Sequence, residues 1–280
     1  MSAVGADIAM STVRIELQIS HRERKLHTMT SPSYFDRYEN LAFTRDDNGV
    51  LTMRFHSNGG PIIFTGQTHE DLPLALEEVA LDDDNRAMII TGTGDVFMDQ
   101  IDGPSLGDMT KPVQFLKTRS QGIKILSRIP SLPFPVIGVA NGPATVHSEY
   151  LLLTDIHIAS ERAVYGDLPH TTFGIAAGDG MQIVWEDAVG MMRAKWLLWS
   201  GENIDAATAM EWGVVVEVLP HDEALARGVE IATKLAAKPP VYRQLQKETL
   251  NQRLIRRVAE AVPYGMALEG LTAADLAYQG

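Results

Sequence analysis

The sequence predicts an α/β fold, and three observations carry that expectation. Short runs rich in β-branched and aliphatic residues alternate with longer runs of helical period. The runs Ala87–Thr91 (AMIIT) and Val136–Ala140 (VIGVA) are almost wholly apolar, as strands covered on both faces are. From Pro220 onward the strand pattern stops and only helical periodicity continues. Strands alternating with helices indicate layers of helix on a mostly parallel sheet.

Each element follows in order. Residues 1–30 read as an extension, with the charged run His21-Arg22-Glu23-Arg24-Lys25 and, at Met29, a second possible start. Residues 31–220 form the expected α/β core and residues 221–280 a helical region. Leu41–Arg45 and Val50–Phe55 flank Asp46-Asp47-Asn48-Gly49, a hairpin turn signal. His69–Leu81 is helical, with Leu72, Leu76 and Val79 on one face. Ala87–Thr91 ends at the Gly92-Thr93-Gly94 turn, and Val113–Ile129 is an amphipathic helix stopped by Pro130. Val136–Ala140 and Asp155–Ala159 are the next strands, and helices are expected over Glu223–Ala237, Val241–Val262 and Gly265–Tyr278. Trp185, Met191, Met192, Trp196 and Trp199 are assigned to core in preference to a pocket wall. The Asp82-Asp83-Asp84-Asn85 run reads as a solvated helix end, since it lacks the alternate spacing of a calcium loop. The basic stretch Lys234–Arg257 reads as a solvated helix face.

Composition narrows the function. The chain has 280 residues, 45% hydrophobic and 21% charged, enough to bury a sizeable core. A net charge of −12 argues against nucleic acid and anionic membranes as partners. Cysteine is absent, which excludes disulfides, a thiolate nucleophile and cysteine-ligated zinc. No apolar run approaches the roughly 20 residues of a membrane helix. The start carries Asp7 and no basic segment before an apolar core, so no signal peptide is expected and the expected compartment is the cytoplasm.

Three turn regions carry the chemistry. Gly92–Asp102 (GTGDVFMDQID) and Asn141–Glu149 (NGPATVHSE) each follow an apolar strand, and small residues there leave backbone N–H groups able to meet a developing negative charge. The third, Asp167–Gly180 (DLPHTTFGIAAGDG), holds His170 and Asp179 nine residues apart in a run broken by Pro and Gly. A carboxylate beside an imidazole fixes its tautomer and lets the ring take a proton from water. Loops that follow β-structure can meet at one edge of a sheet. The histidines lack an HExxH pair and form no tight cluster with carboxylates along the chain, so no metal and no cofactor is expected.

The order ITGTGDVFMDQID, FPVIGVANGPATVHSEYLLLTDIHIASERAVYGDLPH, GIAAGDG and NIDAATAMEWGVVVEVLP resembles the crotonase (enoyl-CoA hydratase/isomerase) superfamily over roughly residues 38 to 278. The resemblance implies a ββα spiral core, a C-terminal helical trimerisation region and a two-amide oxyanion hole near Met98–Asp99 and Val146–His147. Hydratases of the family carry a triple glycine in the second loop and a second Glu after a Pro in the third. Here Val146-His147-Ser148 and His170 occupy those places, and Glu149 is displaced by a one-residue shortening. Coenzyme A carries several phosphates and attracts Lys or Arg. Between Phe55 and Thr110 only Arg86 answers that need, and none lies between Ile129 and Glu161. Within the superfamily the chain is most similar to the β-diketone hydrolase (6-oxocamphor hydrolase) branch, at His147, His170, Asp179 and Glu269. Phe64 falls near an aromatic that lines the branch's pocket. The resemblance implies hydrolysis of a carbon–carbon bond in a small diketone by a retro-Claisen route, with His170 oriented by Asp179 as base, Glu269 holding water or substrate, and self-association as a trimer or a dimer of trimers. Two other readings stay open: an acyl-CoA enzyme of the same superfamily, and a non-catalytic scaffold.

Overall fold

The structure is a computed structural model that describes residues 31–278. The extension expected over residues 1–30 lies outside the described residues. Six strands form the main sheet in sequential order: β1 (Leu41–Arg45), β2 (Val50–Phe55), β3 (Ala87–Thr91), β4 (Val136–Ala140), β5 (Ile156–Ser160) and β6 (Val218–Leu219). β1 and β2 pair antiparallel, with Leu41 opposite Phe55, and every later neighbour pairs parallel, with Met88 opposite Val136. The hairpin turn is closed by Asp46, whose Oδ1 accepts from the Asn48 and Val50 amides at 2.9 Å. Every residue of β3 and β4 is buried, which is why both runs lack polar alternation.

The helices are α1 (Gly66–Leu81), α2 (Pro112–Arg128), α3 (Glu149–Leu152), α4 (Leu168–Phe173), α5 (Met181–Val189), α6 (Met191–Ser200), α7 (Ala206–Trp212), α8 (His221–Ala236) and α9 (Pro240–Asp275). One face of the sheet, with Ala87, Ile89, Ile137, Val139 and Ile158, packs on α8. The buried residues of α8 are Ala224, Gly228, Ala232 and Ala236, a small-residue stripe at helical spacing. A Cβ on Gly228 would lie 2.6 Å from Val139 Cγ2, so this helix sits closer than a larger residue permits. The opposite face, with Met53, Phe55, Met88 and Ile90, joins the larger core beneath the α1, α2 and α5 residues Leu72, Leu126 and Trp185.

Several expectations need correction. The two helices expected at Val241–Val262 and Gly265–Tyr278 are one, α9, which runs through Pro263 to Asp275. A proline inside a helix removes one hydrogen bond and typically costs about 3 kcal/mol. Burial of Val258, Val262, Met266 and Ala273 holds the two halves in line, and the Pro263 carbonyl accepts from Arg119 Nη2 at 3.1 Å. The basic stretch is not wholly solvated, because Lys247 is buried and its Nζ donates to Asp155 Oδ2 at 2.8 Å. Asn251 Nδ2 donates to the other oxygen of Asp155 at 2.8 Å, so one carboxylate fastens α9 to the sheet. The acidic run after α1 is likewise engaged: Asp82 pairs with Arg45 at 2.6 Å, and buried Asn85 donates to Tyr34 Oη and the Val79 carbonyl. Of the Trp and Met residues assigned to core, only Trp185 is buried, while Met191, Met192, Trp196 and Trp199 are exposed. No helix among the described residues is long and apolar enough to cross a membrane.

Candidate active site

The loops that leave β3 and β4 are tied to one another before any functional side chain is placed. Asn141 donates to the carbonyls of Gly94 (2.7 Å) and Val96 (2.9 Å) and accepts from the Gly92 amide (3.0 Å). The Phe97 and Met98 amides both donate to the Pro143 carbonyl, and the Thr145 and Val146 amides both donate to that of Met98. This ladder narrows the expected oxyanion hole, one amide from Met98–Asp99 and one from Val146–His147. The Met98 and Val146 amides are already spent on backbone acceptors. Of the four positions named from the sequence, the Asp99 and His147 amides are the pair with no acceptor among the described residues. His147 sits at φ +50°, a left-handed conformation that costs a non-glycine residue about 1–2 kcal/mol. Such strain concentrates at functional sites.

The His147 ring packs against two aromatic rings: Tyr150, stacked at 4.8 Å and within 3° of parallel, and Phe64, tilted by 56° with centroids 4.3 Å apart. Its Nδ1 is 2.7 Å from Oε1 of Glu149, a buried carboxyl on α3. Burial pushes His147 down to about 4, against a weaker upward pull from the Asp179 charge. Burial and then the Asp179 charge push the Glu149 carboxyl well above the usual carboxylate range.

His170 is carried by the short helix α4, whose N-cap is Asp167. The expected partner was Asp179. Instead His170 Nδ1 is held by Asp167 Oδ1 at 2.7 Å, and Asp179 Oδ1 lies 3.7 Å from the other ring nitrogen, Nε2. A one-turn helix puts residues three apart on one face, which brings Asp167 under the ring. Burial alone would lower His170, but the Asp179 charge, followed by the Asp167 hydrogen bond and charge, outweighs it and raises the imidazole to about 10.

Asp179 reaches the site because its loop touches α9 through two glycines. A Cβ on Gly178 would lie 2.1 Å from the Gly265 carbonyl oxygen, and one on Gly265 would lie 2.5 Å from that of Gly178. Four residues on from Gly265, one helical turn, is Glu269. Its Oε2 is buried without a hydrogen-bond partner, and burial, then the Asp179 charge, pushes it well above the usual range.

All these side chains line one cavity of about 380 Å³. His69, Glu149 and Asp167 line it too, although the sequence reading gave none of them a role. His69 is buried on α1, lowered by burial to about 4, with Nδ1 3.0 Å from Gln121 Oε1. Its signal was its place on the Leu72–Leu76 face of that helix, where a polar residue is out of pattern. Phe64, Ile101, Phe115, Leu126, Met181 and Met266 make the apolar wall, and no Lys or Arg lines the cavity. Folding also overturns the sequence reading of no His/carboxylate cluster. His147, Glu149 and Asp179 form one group and His170, Asp179 and Glu269 another, each with ligand-type atoms within 4.8 Å of one another. That is close enough for a shared cation or a shared proton. In both groups the imidazole Nδ1 is already within hydrogen-bond distance of a carboxyl oxygen of this chain.

A sheet whose loops bring two part-buried imidazoles and their carboxyl partners to one cavity is an enzyme-type arrangement, and the comparisons give its class. The enoyl-CoA hydratase/isomerase family model matches residues 45–268, and the chain belongs to that family. It is 46% identical to a β-diketone hydrolase from the cyanobacterium Anabaena sp. PCC 7120, solved bound to (S)-3-oxocyclohexyl acetic acid, with a TM-score of 0.87 over 89% of this chain and all of that one. It is 31% identical over 189 residues to a short-chain-enoyl-CoA hydratase of Clostridium acetobutylicum, covering 66% of this chain and 71% of the relative. It is 32% identical over 178 residues to the 2,3-dehydroadipyl-CoA hydratase of Escherichia coli, covering 63% of this chain and 68% of the relative. The chain is therefore an enzyme of the crotonase family with the crotonase fold.

Proposed function

We propose that the chain hydrolyses a carbon–carbon bond of a cyclic β-diketone by a retro-Claisen reaction that needs only the chain and water. The observation that carries this reading is the cavity's polarity. Two carboxyl-anchored imidazoles line a mostly apolar pocket that offers no Lys or Arg to a phosphate-bearing substrate. The ligand of the Anabaena relative fits the product expected here. Opening a bicyclic β-diketone between its bridgehead and one carbonyl leaves a cyclohexanone bearing an acetic acid arm.

In the proposed reaction, water oxygen bonds to one carbonyl carbon while His170 Nε2 takes its proton. The tetrahedral adduct then collapses. The carbon–carbon bond breaks, its electron pair passes into the second carbonyl as an enolate, and the first carbonyl becomes a carboxylic acid. The free amides of Asp99 and His147 support the developing oxyanion, an interaction worth about 10²–10³ in rate per donor. The His170 imidazolium returns its proton to the enolate carbon, so atoms and charge balance. Asp167 orients His170, Asp179 stabilises its charged form, and Glu269 faces the water. Self-association as a trimer or dimer of trimers belongs to the same proposal, supported by exposed Met192, Trp199, Val241, Leu250 and Leu271 on α6 and α9.

The acyl-CoA reading is favoured by the two hydratase relatives and by the carboxyl of Glu149 in the second loop. The test is a panel of monocyclic and bicyclic β-diketones, followed by ultraviolet absorbance and mass detection of the keto acid, with His170→Ala as control. Turnover that the variant lacks is expected. No turnover across the panel, together with hydration of crotonyl-CoA, would overturn the proposal.

A further inference from the structure

His147 is packed against two aromatic rings and held at Nδ1 by Glu149, which leaves the position of its proton as the open question. Tyr150 stacks parallel to the ring, Phe64 packs against it at a tilt of 56°, and the backbone carrying it is left-handed. Nδ1 meets Glu149 at 2.7 Å, while Nε2 bonds to no described residue in a side chain that lines the cavity. What His147 offers a substrate therefore depends on which partner of the Glu149–Nδ1 contact owns the proton. If Glu149 is ionised, Nδ1–H donates to it and Nε2 presents a lone pair. If Glu149 is a neutral acid, it donates to Nδ1 and Nε2 presents an N–H.

We infer that Glu149 is a positioning residue that acts as a neutral acid, donating to His147 Nδ1 so that Nε2–H faces the substrate's carbonyl oxygen. Three observations support this. Glu149 is only 1% exposed, and its Oε2 has no hydrogen-bond partner, an arrangement that penalises a charge far more than a neutral carboxyl. The titratable groups facing it are Asp179 from the loop before α5, Asp167 and His170 from α4, Glu269 from α9, and its neighbours His147 and Tyr150. Three of those are carboxyls, the sole cationic partner is His170, and no Lys or Arg lines the cavity. The upward displacement of Glu149 and the downward displacement of His147 agree in direction with a proton on the carboxyl oxygen. A carboxylic acid kept neutral by an apolar site so that it can donate a hydrogen bond is an established device.

The inference rests on the proposed reaction for its purpose but not for its test. Solid-state NMR of 15N-histidine-labelled protein at neutral pH reads which nitrogen of each ring carries the proton, with His147 identified as the signal pair missing from His147→Gln. A protonated Nε2 and bare Nδ1 are expected, whatever the substrate proves to be. A protonated Nδ1 with bare Nε2, or an imidazolium, would overturn the assignment. The second arm uses whichever substrate the enzyme turns over. Glu149→Gln keeps an N–H able to donate to Nδ1 and is expected to lose about tenfold or less. Glu149→Leu, which lacks any donor, is expected to lose about the 10²–10³ of an oxyanion donor. Equal losses in the two variants would show that the anion is what His147 needs.

Discussion

At the scale of single residues, the site depends on which carboxyl does which task. Asp167 holds His170 Nδ1 at 2.7 Å, so Asp167→Asn leaves the ring with an ambiguous tautomer. A loss of about 10²–10⁴ in kcat with little change in KM is expected, by analogy with other carboxylate–imidazole pairs; near-normal turnover would remove Asp167 from the mechanism. Asp179 plays a different part, through charge. Its carboxylate helps raise His170 to about 10, so the neutral, water-activating form grows as pH rises, and kcat/KM should climb from pH 6 toward 9. In Asp179→Asn the pull on the proton is lost and that rising limb should move to lower pH. A limb that stays in place would mean that another group accepts water's proton. The sequence made His170 and Asp179 visible together because Pro and Gly forced a fold-back between them. Asp167 was not legible as the partner, since the turn-rich run around Pro169 hid the helical turn that joins it to His170. His69 was hidden more thoroughly, because the helix face it occupies was read through its leucines alone.

At the scale of elements, the catalytic groups are only as well placed as the contact between the Asp179 loop and α9. Gly178 and Gly265 meet there with no room for a methyl group on either side. Gly178→Ala should push α9 outward, carrying Glu269 away from His170 and Asp179. Over-packing of this kind costs about 1–3 kcal/mol, so a lowered melting temperature with retained circular dichroism is expected, alongside a disproportionate loss of turnover. A variant with unchanged activity would show that Glu269 need not sit where this contact puts it. Nothing in the sequence paired these two glycines, which are far apart in the chain and meet only through tertiary packing. The strands and the hairpin were legible because burial on both faces leaves its mark on every residue of β3 and β4. The continuity of α9 was not, because Pro263 is a helix breaker by local rules and survives only through the burial of Val258, Val262 and Met266 around it.

At the scale of the whole molecule, two properties can be checked without any substrate. Light scattering should give the mass of a trimer or a dimer of trimers, and a monomer at micromolar concentration would contradict the self-association proposed from the exposed residues of α6 and α9. The second property is the dependence of stability on pH. His69, His147 and His157 are lowered by burial to about 4, so the unfolded chain binds their protons between about 6.5 and 4 and the native chain does not. Their stabilisation is complete above 6.5 and is lost as pH falls through that window, by up to about 3 kcal/mol each. Glu149 and Glu269 are displaced upward and act in the opposite sense, losing stability as pH rises above about 4.5. Three histidines against two glutamates leave a net gain with pH up to about 6.5. Above that point His170, raised to about 10, joins the glutamates, and stability should fall toward alkaline pH. Urea midpoints measured from pH 4.5 to 9 should therefore pass through a maximum near pH 6.5. His157 lies outside the cavity, bonded to Tyr165 Oη at 2.8 Å, so His157→Gln should flatten the acidic side of that curve while leaving the alkaline side alone. A maximum above pH 8 would mean that His170 is not held protonated, and the rising limb of the rate profile would have to be reassigned with it.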